Sequence, residues 1–240
     1  MSTIWTIARK ELQLALRSVA TYIILVVFLV IAGLFFSSLV FKIGLAELRS
    51  LFEVIHVILL FYIPAITMGS IARERQSGTL EVLSTLPIKL SSIVWGKILA
   101  AMLQFIVLIA FTLVFLVIIM VFGEGVDYGS ILCGYLGIIL ASAAYISIGV
   151  FASSLPSNQI LAFVLALVIS VAFYILKFIL PLIPLTVMAP IQYLSFDYHL
   201  ASFLKGVIDT RDILFFLAVS VLFALLAEFN LQSRDRKSVV

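Results

Sequence analysis

Six long apolar runs constrain this chain more than any other feature of its sequence. A helix rises 1.5 Å per residue, so about 20 mostly apolar residues cross the hydrocarbon core of a bilayer. On that measure the sequence predicts six transmembrane helices, at about 22–41, 52–71, 93–122, 131–153, 160–180 and 213–229. Only 11% of the residues are charged, against about 25% in a soluble domain. We therefore expect an all-α integral membrane protein in which residues 1–240 form a single domain in a lipid bilayer.

Lysine and arginine predict the orientation of these spans. With the N-terminus in the cytoplasm, the inner segments hold ten of the fifteen Lys and Arg residues and the outer segments hold five. An excess of cations marks the cytoplasmic side. Both termini and the segment between the second and third spans are thus expected in the cytoplasm.

The segment before the first span is predicted to be an amphipathic helix. At 100° per residue, the polar side chains of residues 4–17 gather on one face with the exception of Glu11, and Trp5 lies on the apolar face. A basic face opposite an apolar one is typical of an interfacial helix. Such a helix either lies flat on lipid or also contacts a partner through Lys10 and Glu11.

Three prolines interrupt the apolar stretch after the fifth span, namely Pro181, Pro184 and Pro190. A seventh crossing here would place the basic C-terminal tail outside, against the charge rule. Broken backbone at membrane depth survives where protein covers it. We therefore expect a re-entrant segment on the outer side between spans 5 and 6, followed by an outer segment at 197–212.

Pro64 and the fourth span carry local signals. Pro64 removes a backbone hydrogen bond inside the second span, so a kink is expected there. The proline is either simply tolerated or a hinge for the inner half of that span. The fourth span carries small residues at helical spacing, which predicts close packing inside the bundle. They are Gly134, Gly137, Ala141, Ser142, Gly149 and Ser153.

Catalytic, metal-binding and nucleotide-binding patterns do not occur in the sequence. It contains no Walker A motif, no HExxH, no GxSxG and no Cys/His cluster, and Cys133 is the only cysteine. The ionisable residues inside the spans lie near their ends, where they are expected to reach an interface. These are Glu53, His56, Lys177 and Glu228. We expect neither an enzyme nor a proton-driven pump nor a nucleic-acid-binding protein, and no cofactor on this chain.

The polar segment 71–97 is more elaborate than a connector between spans requires. Charged residues are followed by Gly78 and by a predicted short helix from Thr79 to Leu86, which Pro87 ends. Leu80, Leu83 and Leu86 fall close to one helical stripe. The stripe could dock in an apolar groove of a partner, with Glu74, Arg75 and Glu81 pairing at its rim, or it could pack on lipid or on the bundle.

Several motifs together carry a resemblance to a known family. ERQSGTLEVLSTLP at 74–87, the pair Gly96-Lys97, PAITM at 64–68, SSLPSNQILAF at 153–163 and GVIDTRD at 206–212 resemble ABC-2-type ABC transporter permeases, and most closely the gliding-motility (GldF-like) branch. Gly69 departs from the pattern, because relatives often have a basic residue there.

The resemblance implies a cytoplasmic coupling helix between spans 2 and 3 that docks on a separate ATPase. The implied coupling residues are Glu74, Arg75, Gly78, Thr79, Leu80, Glu81, Leu83 and Leu86. It also implies two permease copies and two ATPase copies in the cell (inner) membrane of a prokaryote, with ATP and Mg on the ATPase. Export would follow a path lined by spans 2 and 5 at the dimer axis.

The sequence supports a permease of an ATP-driven exporter that works by alternating access. The alternative is a non-transporting membrane anchor or scaffold that recruits a cytoplasmic partner through the 73–87 loop. A passive channel is disfavoured, because no span shows a repeated polar face. The apolar spans are compatible with a lipid, a peptide or a hydrophobic drug as the substrate.

Overall fold

The computed structural model describes residues 3–43, 48–79, 89–122, 127–180, 184, 188 and 191–238. In these parts of the chain nine helices are defined. They are α1 Thr3–Arg17, α2 Val19–Ile43, α3 Arg49–Thr67, α4 Ala72–Gln76, α5 Leu90–Phe122, α6 Tyr128–Ser154, α7 Gln159–Ile179, α8 Phe196–Leu204 and α9 Thr210–Ser238.

Among the described residues, six helical segments are long and apolar enough to cross a membrane, in agreement with the predicted number. They are α2, α3 together with α4, α5, α6, α7 and α9. The third of them, α5, has 33 residues and is about 50 Å long at 1.5 Å per residue. That exceeds a bilayer core of about 30 Å, so α5 projects beyond the hydrocarbon region or tilts in it.

Helix α6 is the central helix of the bundle. It packs against α3, α5, α7, α8 and α9, and most of its length is buried, whereas α2 and α7 are mostly exposed. Three glycines permit this packing, because the ring of Phe52 lies against Gly134, Phe203 against Gly137 and Thr67 against Gly149. The prediction from its small residues is confirmed.

The second span differs from its predicted form. The sequence predicted one run to residue 71, whereas α3 ends at Thr67 and a turn at 68–71 separates it from α4. Pro64 lies inside α3 and is buried. Its carbonyl still accepts a hydrogen bond from Met68 N at 2.9 Å. The interruption therefore follows the proline by about one turn and contains Gly69 and Ser70.

A short buried helix, α8, occupies part of the segment predicted to lie outside between spans 5 and 6. It packs on α6, α7 and α9, and Phe196, Leu200 and Phe203 are almost fully buried. Most of the predicted re-entrant segment, 181–194, falls outside the described residues, so re-entry stays a prediction.

Polar side chains fasten α8 to its neighbours. Lys177 Nζ on α7 lies 3.1 Å from Asp197 Oδ1. His199 Nδ1 lies 2.6 Å from Asp212 Oδ1 at the start of α9, and its Nε2 lies 2.9 Å from the carbonyl oxygen of Tyr193. Since a carbonyl can only accept, Nε2 carries a hydrogen, which fixes the orientation of this buried ring. We call this part of the bundle the α8 end, and the opposite part, where α1 and α4 lie, the α1 end.

His56 corrects one expectation from the sequence. The side chain was expected to reach the interface, but only 1% of the residue is exposed. His56 Nε2 forms a hydrogen bond with Tyr145 Oη on α6 at 2.9 Å. A partner of this kind makes burial of the imidazole possible without an unpaired polar group, and that partner lies 89 residues away in the sequence.

Candidate functional site at the α1 end

The side chain of Lys97 is the centre of the α1 end. It stands two turns into α5 and is only 2% exposed. Its Nζ lies 2.9 Å from Glu74 Oε1 and 3.2 Å from Glu11 Oε1, and it donates to the carbonyl oxygen of Ser70 at 2.6 Å. The ammonium group thus donates hydrogen bonds to Glu11 and Ser70 and forms an ion pair with Glu74. We call Glu11, Ser70, Glu74 and Lys97 the Lys97 junction.

The junction joins three helices that are distant in sequence. Glu11 lies on α1, Glu74 on α4 and Lys97 on α5. Next to Lys97, Gly96 admits α1 to close contact, since a Cβ atom at position 96 would lie 2.8 Å from Ile7 Cγ2 and 3.2 Å from the carbonyl oxygen of Ile4. The pair Gly96-Lys97 thus has a physical reason. The glycine lets α1 approach, and the lysine holds it.

The turn between α3 and α4 is held by one serine of α6. Ser153 Oγ accepts hydrogen bonds from Ile71 N at 3.0 Å and Ala72 N at 3.1 Å, and it donates to the carbonyl oxygen of Met68 at 2.9 Å. Groups at the ends of helices lack partners within the helix. Ser153 Oγ supplies partners for these backbone groups. Each such group would cost about 1–3 kcal/mol if it were buried without a partner.

A second contact fixes α4 from its other side. Arg75 Nη1 donates to the carbonyl oxygens of Leu155 and Pro156, at 3.1 and 3.2 Å, where α6 ends. Gly78 follows with φ +72°, a left-handed conformation that glycine adopts without a steric penalty and that commonly ends helices. Helix α4 is thus held between α5 and the end of α6 before the chain leaves at residue 79.

The predicted coupling residues fall into two groups. Glu74, Arg75, Gly78 and Thr79 are described, whereas Leu80, Glu81, Leu83 and Leu86 lie outside the described residues. Thr79 Oγ1 donates to the carbonyl oxygen of Glu74 at 3.2 Å. Glu74 and Arg75 were predicted to pair at the rim of an ATPase, and here both have partners within this chain. Their interaction with another protein stays a prediction.

Two roles in this site were not identified from the sequence: the ion pair between Glu11 and Lys97, and the support of the turn by Ser153. The available signal was Lys97 itself, a lysine inside the predicted third span at 93–122.

Gly69, where relatives were expected to have a basic residue, lies beside a basic side chain here. A Cβ atom at position 69 would be 3.1 Å from Arg73 Nη2, so the guanidinium of Arg73 occupies this place.

A cavity of about 380 Å³ adjoins the Lys97 junction. Helices α1, α2, α3, α4 and α5 all contribute to its wall. Lys10, Glu11, Arg73, Glu74 and Lys97 supply its charged side chains. Within the described ranges, no group of three or more His, Cys, Asp or Glu side chains is placed to hold a metal ion. The Lys97 junction thus connects α1, α4 and α5 beside a cavity whose wall contains both charged and apolar side chains.

Comparison with known proteins identifies a family. The model of a family described as ABC-2 family transporter protein matches residues 5–207, which include α1 except its first two residues, α2 to α8 and the whole Lys97 junction. No curated protein matches the chain.

Proposed function

The chain belongs to the ABC-2 family of transporter proteins, and we propose that it is the permease subunit of an ATP-driven exporter working by alternating access. The family implies an ABC transporter with a partner ATPase. In this proposal the ATPase is a separate cytoplasmic protein present in two copies and binds ATP and Mg, and this chain has no catalytic role. A second permease copy completes the path in the cell (inner) membrane of a prokaryote. Membership of the gliding-motility branch is part of the proposal.

The Lys97 junction is the observation that supports coupling. Helix α4 is the last described helix before the predicted docking segment. Its Glu74 contacts α5, its Arg75 contacts the end of α6, and the turn before it is bound to Ser153. A displacement of the docking segment would therefore be passed through α4 to two helices, α5 and α6. A scaffold would need only an exposed loop, so these contacts favour the permease over the anchor.

Leu83→Asp tests the docking of the predicted coupling helix. Burying an unpaired carboxylate in an apolar groove costs several kcal/mol, so we expect the variant to lose the ATPase during co-purification by tenfold or more. Leu83→Met, which nearly conserves volume, is the matched control and should retain it. The spans should stay folded, as shown by an unchanged melting temperature of the permease in detergent. Wild-type co-purification and substrate-stimulated ATP hydrolysis in Leu83→Asp would refute docking through this stripe.

The proposed orientation places both termini and α1 in the cytoplasm. Single cysteines at Asp209 and Arg234, each in a Cys133→Ala background, test it with a membrane-impermeant thiol reagent on intact cells. We expect labelling at 209 and none at 234 until the membrane is permeabilised. Labelling at 234 in intact cells would overturn the orientation.

We propose Pro64 as a hinge between the part of α3 that precedes it and the region of α4. Pro64→Ala restores a donor at position 64 and removes the proline ring, so it should straighten the helix and favour one access state. We expect transport in vesicles to fall several-fold while ATPase binding stays unchanged. Transport at the wild-type rate would show that the proline is merely tolerated.

A further inference from the structure

The cavity beside the Lys97 junction has two chemically different parts. Its mouth contains exposed polar and charged side chains, among them Lys10, Arg73 and Ser77. Its less exposed wall is apolar, with Ile24, Ile66 and Ala101, and the buried Gln104 also lines it. A site of this form is suited to an amphiphile, whose head and chain need different surroundings.

The depth of the cavity places its inner part beside the spans. Ile24 is five residues inside the first span, which starts at Val19. Gln104 is seven residues beyond Lys97, which corresponds to about two turns and about 10 Å along α5. A ligand that fills the cavity therefore extends from the membrane surface into the apolar layer.

The charges at the mouth favour an anion. Both carboxylates of the wall, Glu11 and Glu74, are paired with Lys97. Lys10 and Arg73 are exposed, and neither has a carboxylate within ion-pair distance in the described parts of the chain. The five charges together leave a net positive mouth with two available cations.

We propose that this cavity binds an anionic phospholipid from the leaflet that α1 faces. The phosphate contacts Lys10 and Arg73, and the first carbons of one acyl chain lie against Ile24, Ile66 and Ala101. Ligand pockets commonly measure about 300–1,000 Å³, so 380 Å³ accommodates a headgroup with part of one chain and leaves the rest of the lipid in the bilayer. The bound lipid would contact both α1 and α4, next to the Lys97 junction that the proposed function assigns to coupling.

The inference rests on the proposed function only in identifying this leaflet as the cytoplasmic one, where anionic lipids concentrate. Binding can be measured without any ATPase or transport assay. The full-length permease is purified in a neutral detergent, and native mass spectrometry and melting temperature report the binding of dioleoyl phosphatidylglycerol. Phosphatidylcholine with the same chains and inorganic phosphate are the comparison ligands.

We expect phosphatidylglycerol to bind in a 1:1 complex and to raise the melting temperature, with much weaker effects of the two comparison ligands. A surface cation beside an anionic lipid changes affinity by roughly fivefold. Lys10→Gln combined with Arg73→Gln should thus weaken binding by roughly 25-fold, if the two sites act independently. Arg9→Gln, one residue from Lys10 but outside the cavity wall, is the matched control and should bind as the wild type does.

A second variant separates the apolar part from the mouth. Ala65→Leu adds side-chain volume to the cavity wall and should reduce phosphatidylglycerol binding without a change in the charge of the mouth. An equal response to inorganic phosphate would indicate a site for soluble anions and overturn the lipid proposal. Equal binding of phosphatidylcholine, or an equal loss in Arg9→Gln, would indicate unspecific contact with lipid and overturn it as well.

Discussion

Replacing Lys97 by methionine is expected to cause the largest loss of stability and coupling of any single charge removal at the α1 end. The change leaves Glu11 and Glu74 facing one place from two helices without a cation between them. Breaking a buried ion pair costs about 3–5 kcal/mol. Since the two carboxylates are 24% and 19% exposed, we expect about 3 kcal/mol in the free energy of unfolding. The melting temperature in detergent and the substrate-stimulated ATP hydrolysis of the complex measure the two effects.

Lys177→Met is the matched control. Lys177 also pairs with a carboxylate at 3.1 Å, but it is 27% exposed and lies at the α8 end. Its loss should lower the melting temperature less and leave coupling to the ATPase intact. Glu11→Gln and Glu74→Gln added to Lys97→Met should recover much of the stability, because a neutral replacement of a buried ionic cluster is often tolerated. If Lys97→Met and Lys177→Met change the melting temperature and the ATP hydrolysis of the complex equally, the Lys97 junction does not couple the ATPase to the spans as we propose.

Gly149→Ala is expected to destabilise the bundle, although alanine normally stabilises a helix relative to glycine by about 1 kcal/mol. The added Cβ would overlap Thr67 Oγ1 and lie 2.9 Å from Thr67 Cβ. Thr67 cannot easily turn away, because its hydroxyl donates to the carbonyl oxygen of Ile63 at 2.8 Å. We expect α3 and α6 to separate, with a loss of about 1–3 kcal/mol, measured as a lower melting temperature.

Gly33→Ala on α2 is the control for this change. A Cβ at position 33 would meet only the ring of Phe115, at 3.8 Å, which is an ordinary contact, so the variant should be at least as stable as the wild type. Thr67→Ala combined with Gly149→Ala should recover part of the loss, since the clashing groups are coupled. Equal melting temperatures for Gly149→Ala and Gly33→Ala would contradict the close approach of α3 and α6.

The sequence predicts those features of the fold that depend on residues close together in the chain. Six spans follow from local apolar length, and the buried position of α6 follows from small residues at helical spacing. The break at 68–71 was not predicted. Gly69 and Ser70 lie there, but small residues are also common inside transmembrane helices, and the support of the turn comes from Ser153 on another helix.

The polar contacts of the candidate site were beyond sequence reasoning for the same physical reason. Glu11 and Lys97 are 86 residues apart, and no periodicity connects them. His56 was expected to reach the interface because its partner, Tyr145, could be identified only after folding had placed α3 against α6. Sequence reasoning did single out Glu74 and Arg75, but as contacts for another protein.

The residues of the Lys97 junction lie far apart along the chain, and this separation determines when the junction can form during synthesis. Glu11 and Glu74 are synthesised before Lys97, so the first two spans leave the ribosome while both carboxylates still lack their cation. Lys97 then arrives within a strongly apolar helix, where a lone ammonium is costly to insert, by about 2.5–3.5 kcal/mol at the membrane centre. We expect the carboxylates of Glu11 and Glu74, which are synthesised first, to retain Lys97 at the membrane surface during insertion. The same contact would thereby fix how far the third span enters the membrane.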